Sequence, residues 1–257
     1  MKDKESSNAG CREHRWIILI YLLTGWYLYA LPVSRESHIP ADRIKFEHIS
    51  IEEGLSQCSV SSIIQDKRGF LWFGTEEGLN RWDGYTFRIY RHDPDDPDSL
   101  SNNVIRTIYE DRYGVLWIGT EVGLNRYNRE KYNFSRFKKT RKKDSLSDND
   151  VLAIGEDEPG RLWVGTADGL NRLDRKTGGF THYRNNPEDP SSLGNDKVTA
   201  IYRDRAGGMW IGTGGGGLNQ YNSEQDNFSR YKHKPGDSDS LSNDNIKVIF
   251  EDRYRTL

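Results

Sequence analysis

The tetrapeptide Trp-x-Gly-Thr begins at Trp72, Trp117, Trp163 and Trp210, at steps of 45, 46 and 47 residues. The same longer cassette surrounds each copy, and a fifth copy starts at Ile246. A period of this length that alternates strand and turn signals predicts a β-propeller, since one four-stranded antiparallel blade uses roughly 40–50 residues. The predicted class is all-β: four blades plus the first strand of a fifth, an incomplete ring over residues 44–257. The blades fall at about 60–91, 104–138, 151–184 and 198–232, and 246–257 opens the next. A scaffold does not name its ligand, so function has to be sought in what departs from the repeat.

Within each cassette the first strand runs into an Asp: Asp66, Asp111, Asp157 or Asp204. Three places before it stands Ile63, Ile108, Ile154 or Ile201, and six places before it Val60, Ile105, Val151 or Val198. Period-two alternation predicts that these two positions lie on opposite faces. The residue between them is small (Ser62, Thr107, Ala153, Ala200), as suits a strand crowded around a central channel. Gly69, Gly114, Gly160 and Gly207 follow the Asp residues by three places, which predicts a type I turn closed by a left-handed residue.

The second strand carries three consecutive large apolar residues, as in Leu116-Trp117-Ile118. Both of its faces must then be buried, which fits a blade pressed between two others. Gly74, Gly119, Gly165 and Gly212 follow in that strand and permit close approach. Third strands follow at Gly78–Trp82, Gly123–Tyr127, Gly169–Leu173 and Gly217–Tyr221, and fourth strands at Phe87–Tyr90, Phe134–Phe137, Phe180–Tyr183 and Phe228–Tyr231. A polar connection ending in Ser-Leu leads to the next blade. Phe46-Glu-His-Ile49 has no blade of its own and reads as an outer strand that closes the ring.

The chain is polar, with a mean hydropathy of −0.85 and 30% charged residues. Most of its seven Trp, fourteen Tyr and nine Phe lie in the repeats, and rings bury enough surface to pack such a sequence. A net charge of −2 gives no general pull toward nucleic acid or anionic lipid. The two cysteines, Cys11 and Cys58, form no disulfide or metal pattern. Lys2, Lys4, Arg12 and Arg15 precede the apolar run Trp16–Leu31, a basic region and hydrophobic core typical of an export signal. The run is short against the roughly 20 residues of a spanning helix, so residues 1–31 are expected to be a signal peptide or an uncleaved membrane anchor. The propeller is accordingly expected to be periplasmic or otherwise extracytoplasmic.

The cassette Val-x-x-Ile-x-x-Asp-x-x-Gly-x-Leu-Trp-Ile-Gly-Thr-x-x-Gly-Leu-Asn-Arg-Tyr resembles the two-component regulator propeller repeat, as do the opening Phe46–Ser56 and Asp83–Phe87. The resemblance covers residues 44–257. It implies the amino-terminal sensor part of a hybrid two-component histidine kinase, with an oligosaccharide or other extracytoplasmic ligand and a homodimer in the whole protein. Kinase modules are not present in this stretch, and Arg255 stands where the repeat has Gly. The expectation is a fragment or truncated reading frame, which sequencing past codon 257 would test.

The repeated Trp and Asp residues read as core and turn positions, because chemistry needs unique residues rather than copied ones. Asp93-Pro-Asp-Asp-Pro-Asp98 lacks the Gly and terminal Glu of a calcium loop and reads as solvated. Lys138–Lys143 reads as a charged loop without nucleic-acid character, and Gly214–Gly217 as a lengthened hairpin turn. His48, His92, His182 and His233 lie on strands or loops and not in a kinase-like helix. No catalytic constellation, cofactor fingerprint or metal triad is read from the sequence. The ligand is sought among non-repeated loop residues at one end of the blades. The alternatives to a sensor are a secreted carbohydrate- or protein-binding propeller, or a propeller lyase or hydrolase.

Overall fold

A computed structural model describes residues 48–158 and 160–257. The export-signal run, Cys11 and the first half of the expected closing strand lie outside the described residues. Blade 1 comprises β1 (Val60–Gln65), β2 (Leu71–Thr75), β3 (Gly78–Trp82) and β4 (Phe87–Tyr90). Blade 2 comprises β5 (Ile105–Glu110), β6 (Leu116–Thr120), β7 (Gly123–Asn128) and β8 (Asn133–Phe137). Blade 3 comprises β9 (Val151–Glu156), β10 (Leu162–Thr166), β11 (Gly169–Leu173) and β12 (Phe180–Tyr183). Blade 4 comprises β13 (Val198–Arg203), β14 (Met209–Thr213), β15 (Leu218–Asn222) and β16 (Asn227–Tyr231). Each is a four-stranded antiparallel meander in chain order, and β1, β5, β9 and β13 lie side by side as inner strands. Among the described residues no helix is long and apolar enough to cross a membrane.

The apolar clusters lie between blades rather than within them. Trp72, Leu79 and Tyr90 of blade 1 pack with Ile105, Leu116, Ile118 and Tyr127 of blade 2. Trp117 and Leu124 meet Val151, Leu162 and Val164 across the next seam, and Trp163 and Leu170 meet Val198, Met209 and Ile211 across the third. Leu116 and Ile118 thus face blade 1 while Trp117 faces blade 3, so the apolar triplet serves two seams. Leu100, Leu146 and Leu193 of the connecting loops are fully buried in these seams.

The alternation expected in the inner strands is overturned. A β-bulge separates Ile105 from Thr107 in the β5–β6 ladder, and the same irregularity recurs in blades 1 and 4. In blade 3 it falls at the same place, with Leu152 as the extra residue between Val151 and Ala153. The extra residue re-aims the chain. Ile105 and Ile108 therefore both enter the seam with blade 1, as Val151 and Ile154 enter the next.

The small residues and the tetrapeptide glycines have one explanation. Thr107 pairs with Gly119 across the β5–β6 ladder. A Cβ on Gly119 would lie 2.7 Å from Thr107 Cγ2 and 2.6 Å from Val151 Cγ1 of blade 3. Gly74, Gly165 and Gly212 would likewise strike Ile105, Val198 and Ile246 of the following repeat, at 2.6, 2.5 and 2.7 Å. The glycine is the socket for the next copy's first aliphatic residue. Gly165→Ala is expected to lower stability by about 1–3 kcal/mol through overpacking. Chemical denaturation checks this, and an unchanged midpoint would show that Val198 can give way.

Two expected strands are absent. His48 and Ile49, the described part of the closing segment, carry no strand. Residues 246–252 hold the place of a fifth inner strand: Ile246 N donates to Thr213 O at 3.0 Å, and Gly214 bridges Asn245. They form no ladder, because the strand that would pair with them within their own blade is not among the described residues. Val248 and Phe250 are consequently exposed. The following turn still closes on Asp252, which accepts from Tyr254 N and Thr256 N at 2.8 and 2.9 Å. Arg255 there adopts φ +69°, the left-handed conformation that Gly69 and Gly114 take in the same turn. A side chain in that region costs about 1–2 kcal/mol. Arg255→Gly should thus raise stability by about 1 kcal/mol, read as a shift of the urea midpoint.

Candidate ligand face

The repeated Trp and Asp residues form a joint between turn, core and neighbouring blade. Asp66, Asp111, Asp157 and Asp204 each accept from the indole Nε1–H of Trp72, Trp117, Trp163 and Trp210, at 2.9, 2.9, 2.8 and 2.7 Å. Their second carboxylate oxygens hold the turn, as when Asp111 Oδ1 accepts from Tyr113 N and Val115 N. Arg129 of blade 2 donates to Asp66 and Glu110, both at 2.7 Å, and Arg175 of blade 3 donates to Asp111 at 2.8 Å and Glu156 at 3.2 Å. Burial pushes the Asp66 carboxyl up, but the hydrogen bonds from Arg129 and Trp72 outweigh it and hold the group below its usual range. These buried groups are structural joints between neighbouring blades.

At the end carrying the turns after β2, β6, β10 and β14, a second joint recurs. Ser101 Oγ pairs with Thr120 Oγ1 at 2.8 Å, and Asn125 Oδ1 accepts from Ser101 N at 2.8 Å. Ser56, Thr75 and Asn80 repeat the set, as do Ser147, Thr166 and Asn171. Blade 4 departs from it. Gly194 replaces the Ser, and the long Gly214–Gly217 turn leans into the space, leaving a Gly194 Cβ only 2.4 Å from Gly216 O. Glycine run and missing hydroxyl are one local substitution.

Around these joints the turn tips differ in every blade: Glu76-Glu77, Glu121-Val122, Ala167-Asp168 and Gly214–Gly217. They carry a charged network. Arg106 pairs with Glu121 and lies 3.5 Å from Asp150. Asp168 accepts from Arg184 at 2.8 Å and lies 3.5 Å from Lys139, which also reaches Asp148 at 3.7 Å. Gln57 and Glu76 bond each other in blade 1. Asp150 Oδ1 is buried without a hydrogen bond, and burial, partly offset by Arg106, pushes its carboxyl up. This face can match the hydroxyls and charges of a polar ligand. The sequence points to non-repeated loop residues for a ligand without choosing among them; Arg106, Glu121, Asp150 and Asp168 are charged residues of this end of the blades.

The opposite end has its own departure. Gly155 stands where other copies carry Ile64, Tyr109, Tyr202 and Phe250, its Cβ space is taken by Ile201, and a depression of ≈ 300 Å³ beside it is lined by Tyr109, Glu156 and Tyr202. Burial, then the Glu156 charge, pushes the Tyr109 hydroxyl up to about 12, so it stays protonated and can donate.

Other sequence candidates resolve into local structure. His92 and His233 each hold a carbonyl of the connecting loop, Leu100 O or Leu241 O, at 2.6 Å, and His182 holds Ser145 O at the same distance. Asp93 and Asp96 accept backbone amides of their own loop. Among the described residues no three His, Cys, Asp or Glu side chains converge as a metal would need. Cys58 is free and exposed.

Comparison with known proteins agrees with this architecture. Residues 54–77, 99–122, 145–168 and 192–215 match the Two component regulator propeller family. A stretch of 56 residues, 22% of the chain, is 54% identical to Histidine kinase P4 of Formosa agariphila and spans 4% of that protein. The extracellular domain of one putative hybrid two component system of B. thetaiotaomicron is 30% identical over 81% of the chain, with a TM-score of 0.55. That of a second is 25% identical over 73% of the chain, with a TM-score of 0.61. The chain spans 39% and 27% of those two domains. Each of the four blades thus carries a match to the two component regulator propeller repeat.

Proposed function

We propose that this chain is the ligand-sensing propeller portion of an extracytoplasmic two-component sensor. The observation that carries the reading is the match of all four blades to the regulator propeller repeat, joined to the likeness of the chain to extracellular domains of hybrid two component systems. The ligand is a hydroxyl-rich or charged small molecule, oligosaccharides included. It is held at the loop end by Arg106, Glu121, Asp150 and Asp168, whose ion pairs it partly replaces. In the whole protein, a dimer, such binding would shift one propeller against its neighbour and so bias a kinase outside this chain. The chain binds without turning its ligand over.

Calorimetric titration of the chain with a panel of soluble oligosaccharides, with product analysis of each mixture, tests this. A bound and uncleaved oligosaccharide, lost in Asp150→Ala and Asp168→Ala, is the expected result. Cleavage of any panel member would replace the sensor reading with a lyase or hydrolase. Binding that survives both substitutions would move the ligand off this face.

A further inference from the structure

The first and third seams contain the same constellation of side chains, and only one of them is electrically complete. In the third seam Tyr183 of β12 and Tyr221 of β15 donate to Asp226 Oδ1 at 2.7 and 2.5 Å. Arg172 of β11, which pairs with Trp163 across the ladder, reaches the same oxygen at 3.1 Å. Asp226 is the last residue of the β15–β16 hairpin and sits at φ +53°. Burial pushes its carboxyl up, but the two phenols and Arg172 outweigh that and hold it below its usual range. Arginine, two phenols and one carboxylate close the set.

In the first seam Arg81 of β3 pairs with Trp72, and Tyr90 of β4 and Tyr127 of β7 stand where Tyr183 and Tyr221 stand. The hairpin residue equivalent to Asp226 is Tyr132, at φ +56°. No carboxylate therefore stands at that hairpin position. Tyr90 and Tyr127 bond each other at 2.7 Å, which engages one hydroxyl proton and leaves the other to donate. Arg81 Nε is buried without a hydrogen-bond partner, a costly state for a charged group. Among the described residues Arg81 forms no ion pair; its guanidinium carbon lies 4.5 Å from the centroid of the Phe70 ring, and it is directly opposite Arg88 in the β3–β4 ladder. Like charges in that relation repel. Asp83, two residues on, has its carboxylate bonded to Tyr85 N, Thr86 N and Thr86 Oγ1. The Tyr132 ring lies against Arg88, 4.4 Å from its guanidinium carbon, and is half exposed.

We propose that the outer edge of the first seam is a binding site for a small-molecule carboxylate. The ligand's oxygen takes the position that Asp226 Oδ1 holds in the third seam, bonded by Arg81 and by a Tyr90 or Tyr127 hydroxyl, with Arg88 supplying further charge. In the third seam that position is open to solvent, since the Asp226 side chain is 52% exposed. The second seam has no such site, because Phe137 and Leu173 replace the two phenols. The site lies at the outer edge of the blades, away from the turn-tip face.

Calorimetric melting of the chain in sodium acetate, sodium chloride and acetamide, at matched ionic strength in the salts, tests the proposal. Acetate alone is expected to raise Tm by about 2–4 °C at concentrations well above its Kd. Tyr132→Asp supplies the carboxylate within the chain, so it should reproduce that rise without acetate and abolish any further response. Arg81→Gln should melt insensitively to acetate. Asp226→Gly provides the control for geometry, because acetate should rescue its lowered Tm by filling the emptied position. A wild-type protein that acetate leaves unmoved, even where it rescues Asp226→Gly, would overturn the proposal. An Arg81→Gln variant that keeps the full rise would overturn it as well.

Discussion

Asp111→Ala is expected to destabilise the propeller by about 3–5 kcal/mol, the range for removing one partner of a buried charged pair. The carboxylate is fully buried and accepts from Tyr113 N, Val115 N, Trp117 Nε1 and Arg175 Nη1. Its loss would leave the Trp117 indole N–H buried without its acceptor and remove the shorter of the two carboxylate contacts of Arg175. Asp204 offers the comparison, because it bonds Trp210 and its own turn, and among the described residues no arginine of another blade reaches it. Asp204→Ala should therefore cost only about 1–3 kcal/mol. Urea unfolding of both variants measures the difference, and equal losses would mean that the arginine link between blades contributes nothing.

Trp163→Ala should cost a similar amount, about 3–5 kcal/mol, because the ring is fully buried and truncation leaves a cavity. Tyr183 and Tyr221 pack on it with ring centroids 5.2 and 4.7 Å away, and neither can follow the shortened side chain. Trp210 occupies the same repeat position but is only partly buried, with Tyr231 at 5.7 Å as its ring neighbour. Trp210→Ala should cost about 1–2 kcal/mol. The pair separates what the tetrapeptide contributes by itself from what a following blade adds. If both substitutions cost the same, the seam is not the source of the stability.

Much of this fold was legible because each blade repeats the same answer. The third strands Gly78–Trp82 and Gly169–Leu173 run as the cassette predicts, and each Asp turn closes on its glycine. What the sequence hid was geometry that no single repeat displays. The bulge beside Ile105 is invisible to a period-two count, yet it decides that Ile105 and Ile108 share a seam. Arg129 and Arg175 carried a faint signal, an Arg at the same hairpin position in two of the copies, but one carboxylate partner of each lies in the preceding blade. The charged loop end was visible only as a region where the copies disagree. Comparing repeats shows where identity is lost and is silent on which charges then meet, as Arg106 and Asp150 do.

The placement of the apolar clusters has a consequence for how the molecule opens. Because the three clusters lie between sheets, a blade has no hydrophobic interior of its own, and the cooperative unit is the coupling of nearest neighbours. Blades 2 and 3 are each coupled on both sides. Their inner-strand amides should exchange with solvent hydrogen most slowly, and protection should fade outward toward β1 and β13. Resistance to local opening is thus a property of position along the array, even where the residues are the same.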